Sequence, residues 1–305
     1  SAVKKYNIKE IPYKAFSNKK KIKRGGFGIV FRVKCESLGD VVIKEVADTD
    51  VDEQNRKIFI NELKQHSRAN HPRIIQFHGI TMDKDEEIHF LALEYANNGN
   101  LRQYLKELKP GWLEKIRLTT QIAEGMCYLH SINIIHRDLK DIKISDFGFS
   151  RKLDCMMNTN SKHLYGVIPF VDPQKLKNFQ YKCDQKSDIY SIGVLMWEVS
   201  SDGQIPFAQE NYSTLAISII QGLREKPVSG TPMHYISLYS GCWNNEPHKR
   251  PSVVEIFRQL ETLELDPKYK DTELKENNSS DFKSVDIDGE IYKTKGSRDL
   301  EFRIN

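Results

Sequence analysis

Apolar positions change rhythm once along this chain. From Lys20 to Val46 they come in short bursts around a cluster of glycines; Val30-Phe31-Arg32-Val33 alternates in part, and Val41-Val42-Ile43 is a compact run. Bursts of this length bounded by turn residues predict β-strands. Asp52 to Asn70 then predicts a helix, with Ile58, Phe59, Leu63 and His66 at helical spacing. Two further strands are predicted at Ile74 to Ile80 and Ile88 to Glu94. Beyond Ala96 the period is helical. Predicted helices cover Leu101 to Leu108, Leu113 to His130, Asp188 to Ser200, Tyr212 to Arg224, Tyr235 to Trp243 and Ser252 to Leu265. Strands followed by helices, rather than strands alternating with them, predict an α+β fold.

The two ends read differently. The stretch to about Ser17 is polar and Lys-rich with little periodicity, and Asp266 to Asn305 mixes charges of both signs with Asn, Ser and Gly. The tail is therefore expected to be disordered or loosely docked. The sequence contains no internal repeat.

Composition narrows the function classes. A chain of 305 residues has room for two domains or one domain with two lobes, and buries enough surface to need no disulfide or metal staple. Lys plus Arg total 46 against 42 Asp plus Glu, a net charge of +4. That bias is too mild for a nucleic-acid coat or a polybasic membrane anchor. The local run Lys19-Lys20-Lys21-Lys23-Arg24 admits a nucleic-acid reading, but a solvated edge strand accounts for it better. No apolar run approaches the ~20 residues that span a bilayer; Ile189 to Val199 is too short and holds Ser191 and Glu198. The five cysteines (Cys35, Cys127, Cys155, Cys183, Cys242) are scattered, with no C-x-x-C pair. They predict reduced thiols in a cytoplasmic or nuclear protein. The first residues lack a positively charged start followed by an apolar core, so no secretory signal is expected.

Candidate chemistry begins at Ile22-Lys23-Arg24-Gly25-Gly26-Phe27-Gly28-Ile29-Val30, a glycine-rich turn between two predicted strands. Glycines let a backbone approach phosphate oxygens and donate N–H groups without a Cβ clash. Alone this is a hairpin. Its weight comes from Lys44, at the end of the apolar run Val41-Val42-Ile43, where an ammonium reaches phosphates and pairs with a helix carboxylate. Glu62 on the next predicted helix is that carboxylate, although taken singly it reads as a solvated charge.

His136-Arg137-Asp138-Leu139-Lys140 and Asp146-Phe147-Gly148 follow in order. These are the catalytic-loop and metal-binding signatures of protein kinases. The chain therefore resembles the eukaryotic protein kinase family from about Phe16 to Leu265. Asn97-Asn98-Gly99-Asn100-Leu101, Ser187-Asp188-Ile189-Tyr190-Ser191-Ile192-Gly193 and Cys242-Trp243 with Arg250-Pro251 extend the resemblance. It implies a bilobal kinase-like fold, with a small β-rich N-lobe carrying one helix and a larger, mainly helical C-lobe. The expected layout is an N-terminal extension at 1–15, N-lobe at about 16–95, C-lobe at about 96–265 and a polar tail at 266–305. The texture is nearest the tyrosine-kinase-like group, and Lys140 is the Ser/Thr-type choice.

By that resemblance the cofactors are ATP and Mg²⁺ and the partners are protein substrates, with no nucleic acid and no membrane. Oligomeric state is not legible. Asp138 would accept the substrate hydroxyl proton beside Lys140, and Lys44, paired with Glu62, would hold the α and β phosphates. Asp146 would bind Mg²⁺. Ile22, Gly25, Gly26, Phe27, Gly28, Val30 and Val42 would enclose the nucleotide, with Leu93 at the back. Backbone groups of Glu94 and Ala96 would bind the adenine edge. Phe149 to Tyr165 would be the activation segment, with Thr159, Ser161 and Tyr165 as phosphorylatable positions and Arg137 as a partner for the phosphate.

Departures from the family are concentrated in one place. The fifth residue after Asp138 is Lys143 where the family has a metal-binding Asn, and only Asp141 to Ser145 separate Lys140 from Asp146. About ten residues are missing by comparison. Eight residue steps still span up to ~26 Å. Loss of the second metal ligand predicts a rate penalty of at least about 10–100-fold. Three readings follow: an active kinase with a relaxed site, a pseudokinase that binds nucleotide or partners without efficient transfer, or a chain lacking a segment its working relatives carry. Elsewhere Lys23 replaces the first glycine, Val42 an Ala, and His66 an apolar spine residue, and Val167 stands at a Thr position. The Ala-Pro-Glu motif reads Asp172-Pro173-Gln174, so Arg250 is expected to need a partner other than residue 174.

Overall fold

The computed structural model describes residues 6–25, 28–46, 60, 63–96, 100–136, 168–267, 269, 283–285 and 291–293. These form two compact units, one ending at Ala96 and the other starting after it.

The first unit is an antiparallel sheet of β1 (Phe16–Gly25), β2 (Gly28–Cys35), β3 (Gly39–Glu45), β4 (Phe77–Asp83) and β5 (Ile88–Glu94), in the order β1-β2-β3-β5-β4. Alternation in β3 divides the core. Val41 and Ile43 join Val33, Cys35, Phe90 and Ala92 on one face, whereas Val42 joins Leu63, Leu91, Leu93 and Ala96 on the other. β1 is an edge strand, and its exposed Lys19, Lys20 and Lys21 discourage pairing with other chains. The basic run thus has a structural use in the sheet.

The opposite edge is covered by the segment before β1. Glu10 pairs with Ile80 in a parallel bridge; Ile11 N donates to Ile80 O at 2.8 Å and Ile80 N to Lys9 O at 2.9 Å. Ile8 enters one core and Ile11 the other. Gly79 permits this approach. It has φ +145°, and a Cβ there would lie 2.2 Å from Lys9 O. β4 begins three residues later than the apolar pattern predicts, because Ile74 and Ile75 are buried in the preceding turn, where Ile74 N donates to His71 O. Within the predicted helix at 52–70, residues 63–66 are helical, with Leu63 in the core and His66 buried against Phe77 (ring centres 5.6 Å apart).

The second unit is helical: α1 (Leu101–Leu108), α2 (Trp112–Ser131), α3 (Pro173–Lys177), α4 (Gln185–Ser200), α5 (Tyr212–Ile220), α6 (Met233–Cys242) and α7 (Val253–Glu261). α4 is its axis. Every residue from Ser187 to Ser200 is buried, which explains an apolar run without a polar face. A Cβ on Gly193 would lie 2.9 Å from Cys242 Cβ, so the glycine sets how closely α6 packs on α4. α5 ends four residues before the periodicity does. Gly222 adopts φ +103° and Leu223 N bonds back to Ser218 O at 2.8 Å, closing the helix. α7 opens with a capping box between Ser252 and Glu255. In the tail, Lys283–Val285 and Ile291–Lys293 pair as an antiparallel ladder, β6 with β7. Among the described residues no helix is long and apolar enough to cross a membrane.

Candidate functional site

In the first unit, Lys44 sits opposite Val30 on β2 and Leu91 on β5, on the face that carries Val42. The residue is 8% exposed. Val42, Leu93 and Ala96 are buried in one apolar cluster, and Ile22 and Val30 pack against it. The structure therefore brings together Ile22, Val30, Val42, Leu93 and Ala96, five residues far apart in sequence, on the sheet face of Lys44. An aliphatic wall beside a lysine matches a ligand with a flat apolar ring and an anionic end. Glu94 is fixed twice to Gln76: its N donates to Gln76 O at 2.9 Å, and its carboxylate accepts from Gln76 N at 3.0 Å. Gly25 and Gly28 face each other at the ends of β1 and β2, and Ile29 N donates to Glu45 Oε2 at 3.3 Å beside them. Gly26, Phe27 and Glu62 lie outside the described residues.

In the second unit α2 ends at an Asn133 with φ +56°, where Ile134 N bonds to Leu129 O at 2.9 Å. That turn aims the chain at His136. His136 N donates to Asp188 Oδ2 at 2.9 Å, and His130 Nε2 lies 2.9 Å from the same oxygen. Asp188 is fully buried in the first turn of α4. Arg137, Asp138, Lys140, Lys143 and Asp146 follow His136 in sequence and lie outside the described residues. Among the described residues no group of three or more His, Cys, Asp or Glu is placed to hold a metal.

Ile168–Phe170 forms a buried 3₁₀ turn, and α4 holds this end too. Ser191 Oγ donates to Phe170 O at 2.8 Å and Ser187 Oγ to Asp172 Oδ2 at 2.9 Å. Ser187, Asp188 and Ser191 thus fasten the chain on both sides of residues 137–167.

Asp172 is the partner that Arg250 needed. Nη1 of Arg250 donates to Asp172 Oδ2 at 2.7 Å and Nη2 to Oδ1 at 3.0 Å, with both side chains almost wholly buried. The other donors go to carbonyls, Nε to Asn244 O at 2.7 Å and Nη1 also to Lys186 O at 2.8 Å. Gln174 instead donates to Asn245 O at 3.0 Å. Sequence reading missed the substitution, although the signal was present: an Asp directly before a Pro is a helix N-cap, and Asp172 Oδ1 does accept from Gln174 N. Tyr190 lies beneath, with the Arg250 and Arg224 guanidinium carbons 5.3 and 5.2 Å from its ring centre. Burial pushes its hydroxyl up to about 12, against the two positive charges.

Comparison with known proteins agrees with these features. The family model described as protein tyrosine and serine/threonine kinase matches residues 16–260. A protein of Acanthamoeba polyphaga mimivirus named as a serine/threonine-protein kinase/receptor is 34% identical over 265 residues, covering 82% of this chain and 16% of that protein. Human mitogen-activated protein kinase kinase kinase 7 is 30% identical over 277 residues, covering 84% of this chain and 43% of its own length. The human cytoplasmic tyrosine-protein kinase BMX is 30% identical over 265 residues, covering 82% and 38%. The chain spans less than half the length of each of these relatives. With the five-stranded sheet, the helical unit and a matched segment that covers most of its length, the chain belongs to the protein tyrosine and serine/threonine kinase family.

Proposed function

We propose that the chain transfers the γ-phosphate of Mg²⁺–ATP to Ser or Thr hydroxyls of protein substrates. The observation that carries this reading is Lys44, held on one sheet face with Ile22, Val30, Val42, Leu93 and Ala96. The aliphatic side chains would enclose the base, and backbone groups of Glu94 and Ala96 would meet its polar edge. Lys44, supported by Glu62, would set a positive charge against the phosphate oxygens. Asp146 would hold Mg²⁺, which when bound neutralises phosphate charge. Asp138 would orient the substrate hydroxyl and accept its proton, with Lys140 beside it. His136 and residues 168–172, on either side of these residues, are fastened to α4, which supports the reading.

The short spacing from Asp138 to Asp146 and the presence of Lys143 favour a second reading, a pseudokinase that binds nucleotide without efficient transfer. One comparison separates them. Transfer from Mg²⁺–ATP to the chain itself or to a generic protein, abolished by Asp138→Asn, supports the enzyme. Transfer equal to the Asp138→Asn background, with nucleotide-dependent thermal stabilisation retained, supports the pseudokinase. Inserting a hairpin that carries Asn after Lys140 tests the missing segment: recovered transfer assigns the defect to that block.

A further inference from the structure

The wall beside Lys44 is built in rows that cross the sheet. Val30, Lys44 and Leu91 stand opposite one another on β2, β3 and β5, and two residues along the strands Arg32, Val42 and Leu93 form the next row. Opposite partners on antiparallel strands project from one face, with Cβ atoms about 4.5–5.5 Å apart. Arg32 therefore stands on the face of Lys44, directly beside Val42. A charged side chain closes a row that is otherwise aliphatic.

Its guanidinium is held from two sides. Nη2 donates to Asp40 Oδ2 at 3.0 Å, and the guanidinium carbon lies 4.5 Å from the centre of the Tyr95 ring. Asp40 is two residues from Val42 on β3 and, by alternation, on the same face. Tyr95 follows β5 and packs against the cluster that contains Val42, Leu93 and Ala96. Arg32 thus reaches from β2, past the end of the wall, to the segment that follows β5.

Stability does not account for this arrangement. The Arg32 and Asp40 side chains are 29% and 48% exposed, and ion pairs so open to water contribute little to folding. Nor do the phosphates account for it. Asp40 and Lys44 lie four residues apart on β3, about 14 Å, so the guanidinium is drawn toward the end of the wall away from the lysine. The position suits a ring. A guanidinium is planar, weakly hydrated and stacks on aromatic faces, and its stem is aliphatic. A flat ring laid on Val42 would meet that stem at its outer edge and lose water there at little cost.

We infer that Arg32 is a binding residue for the base: braced by Asp40 and Tyr95, it closes the wall at the end away from Lys44 and holds the nucleoside part of the ligand. The inference rests on the nucleotide reading of the site and divides the two cations by task. Lys44 acts on the phosphates, and Arg32 acts on the base.

The test is binding rather than turnover, so an active kinase and a pseudokinase give the same answer. Adenosine and Mg²⁺–ATP are titrated by calorimetry into the full chain and its variants, with urea midpoints following the fold of each. Arg32→Ala should weaken both ligands by one common factor, about 3–10-fold. Tyr95→Leu withdraws the support from the other side and should weaken both in the same way. The double variant should lose less than the product of the two factors, because the residues act as a unit. Lys44→Met should weaken Mg²⁺–ATP and leave adenosine unchanged. Unchanged adenosine affinity in Arg32→Ala, or a loss confined to Mg²⁺–ATP, overturns the inference. Where Arg32→Ala also lowers the urea midpoint, Tyr95→Leu decides in its place by the same criteria. A wild-type chain that binds neither ligand overturns the nucleotide reading itself.

Discussion

Asp172 and Arg250 form a two-point ion pair, 2.7 and 3.0 Å, inside the helical unit and far apart in sequence. The family's buried carboxylate is two residues further on, at the position of Gln174, so the negative charge has moved while its arginine has stayed. Removing one member of a buried pair costs about 3–5 kcal/mol because the other is left uncompensated. Asp172→Ala should lose stability of that order. The double change Asp172→Ala with Gln174→Glu should recover part of it, because a carboxylate returns to the neighbourhood of Arg250. Urea unfolding midpoints of the three proteins decide this, and a double variant no more stable than the single would refute the relocation.

Lys44 should separate nucleotide binding from folding. Methionine fits the methylene stem and removes the charge, so Lys44→Met is expected to keep the fold and to lose most of the thermal shift caused by Mg²⁺–ATP. An undiminished shift would mean that the phosphates lie elsewhere.

Glu198 gives a pH dependence with a definite sign. Burial raises its carboxyl above the ordinary value, and the Arg102 guanidinium, bonded at 2.6 and 2.9 Å, opposes the rise. The folded chain therefore keeps this proton to higher pH than the unfolded chain, which releases it near ~4.3. Stability from this group falls as pH rises from there through the raised value. Wild type measured against Glu198→Gln should lose ground over that interval, as followed by urea midpoints; a flat difference would show the carboxyl to be unshifted.

Cys127 should be a slow thiol. Burial, with Glu124 and Glu261 nearby, raises it to about 11 from 9.0. At pH 8 that leaves roughly 100-fold less thiolate than an unshifted cysteine. Its iodoacetamide labelling rate, read by peptide mass spectrometry, should lag an unstructured cysteine peptide by a comparable factor.

Much of the fold is written in local patterns. β5 coincides with its apolar run at Ile88–Glu94, and α1 with Leu101–Leu108. Long-range effects moved the rest. β4 starts late because Ile74 and Ile75 serve the core from a turn, and α5 stops early because Gly222 turns the chain left-handed. The N-terminal segment read as featureless because Ile8 and Ile11 enter opposite cores, which erases any period. At the candidate site the wall of Val30, Val42 and Leu93 was legible only through the family resemblance, and strand pairing accounts for their common face. Asp172 did not, since its partner is distant in sequence and only burial gives the pair its energy.

The first turn of α4 has a consequence for how this chain can change. His136 and Asp172 are both moored to that turn, through Asp188 and Ser187, so the chain between them bridges two fixed points. The entropy of bridging them grows only with the logarithm of length, so adding the ten or so residues that the family resemblance leads one to expect there would cost about 0.2–0.3 kcal/mol. That is small beside the Asp172–Arg250 pair. A change in the length of this segment is thus nearly invisible to folding, and under the proposed function its effect would fall on transfer while the scaffold stays intact.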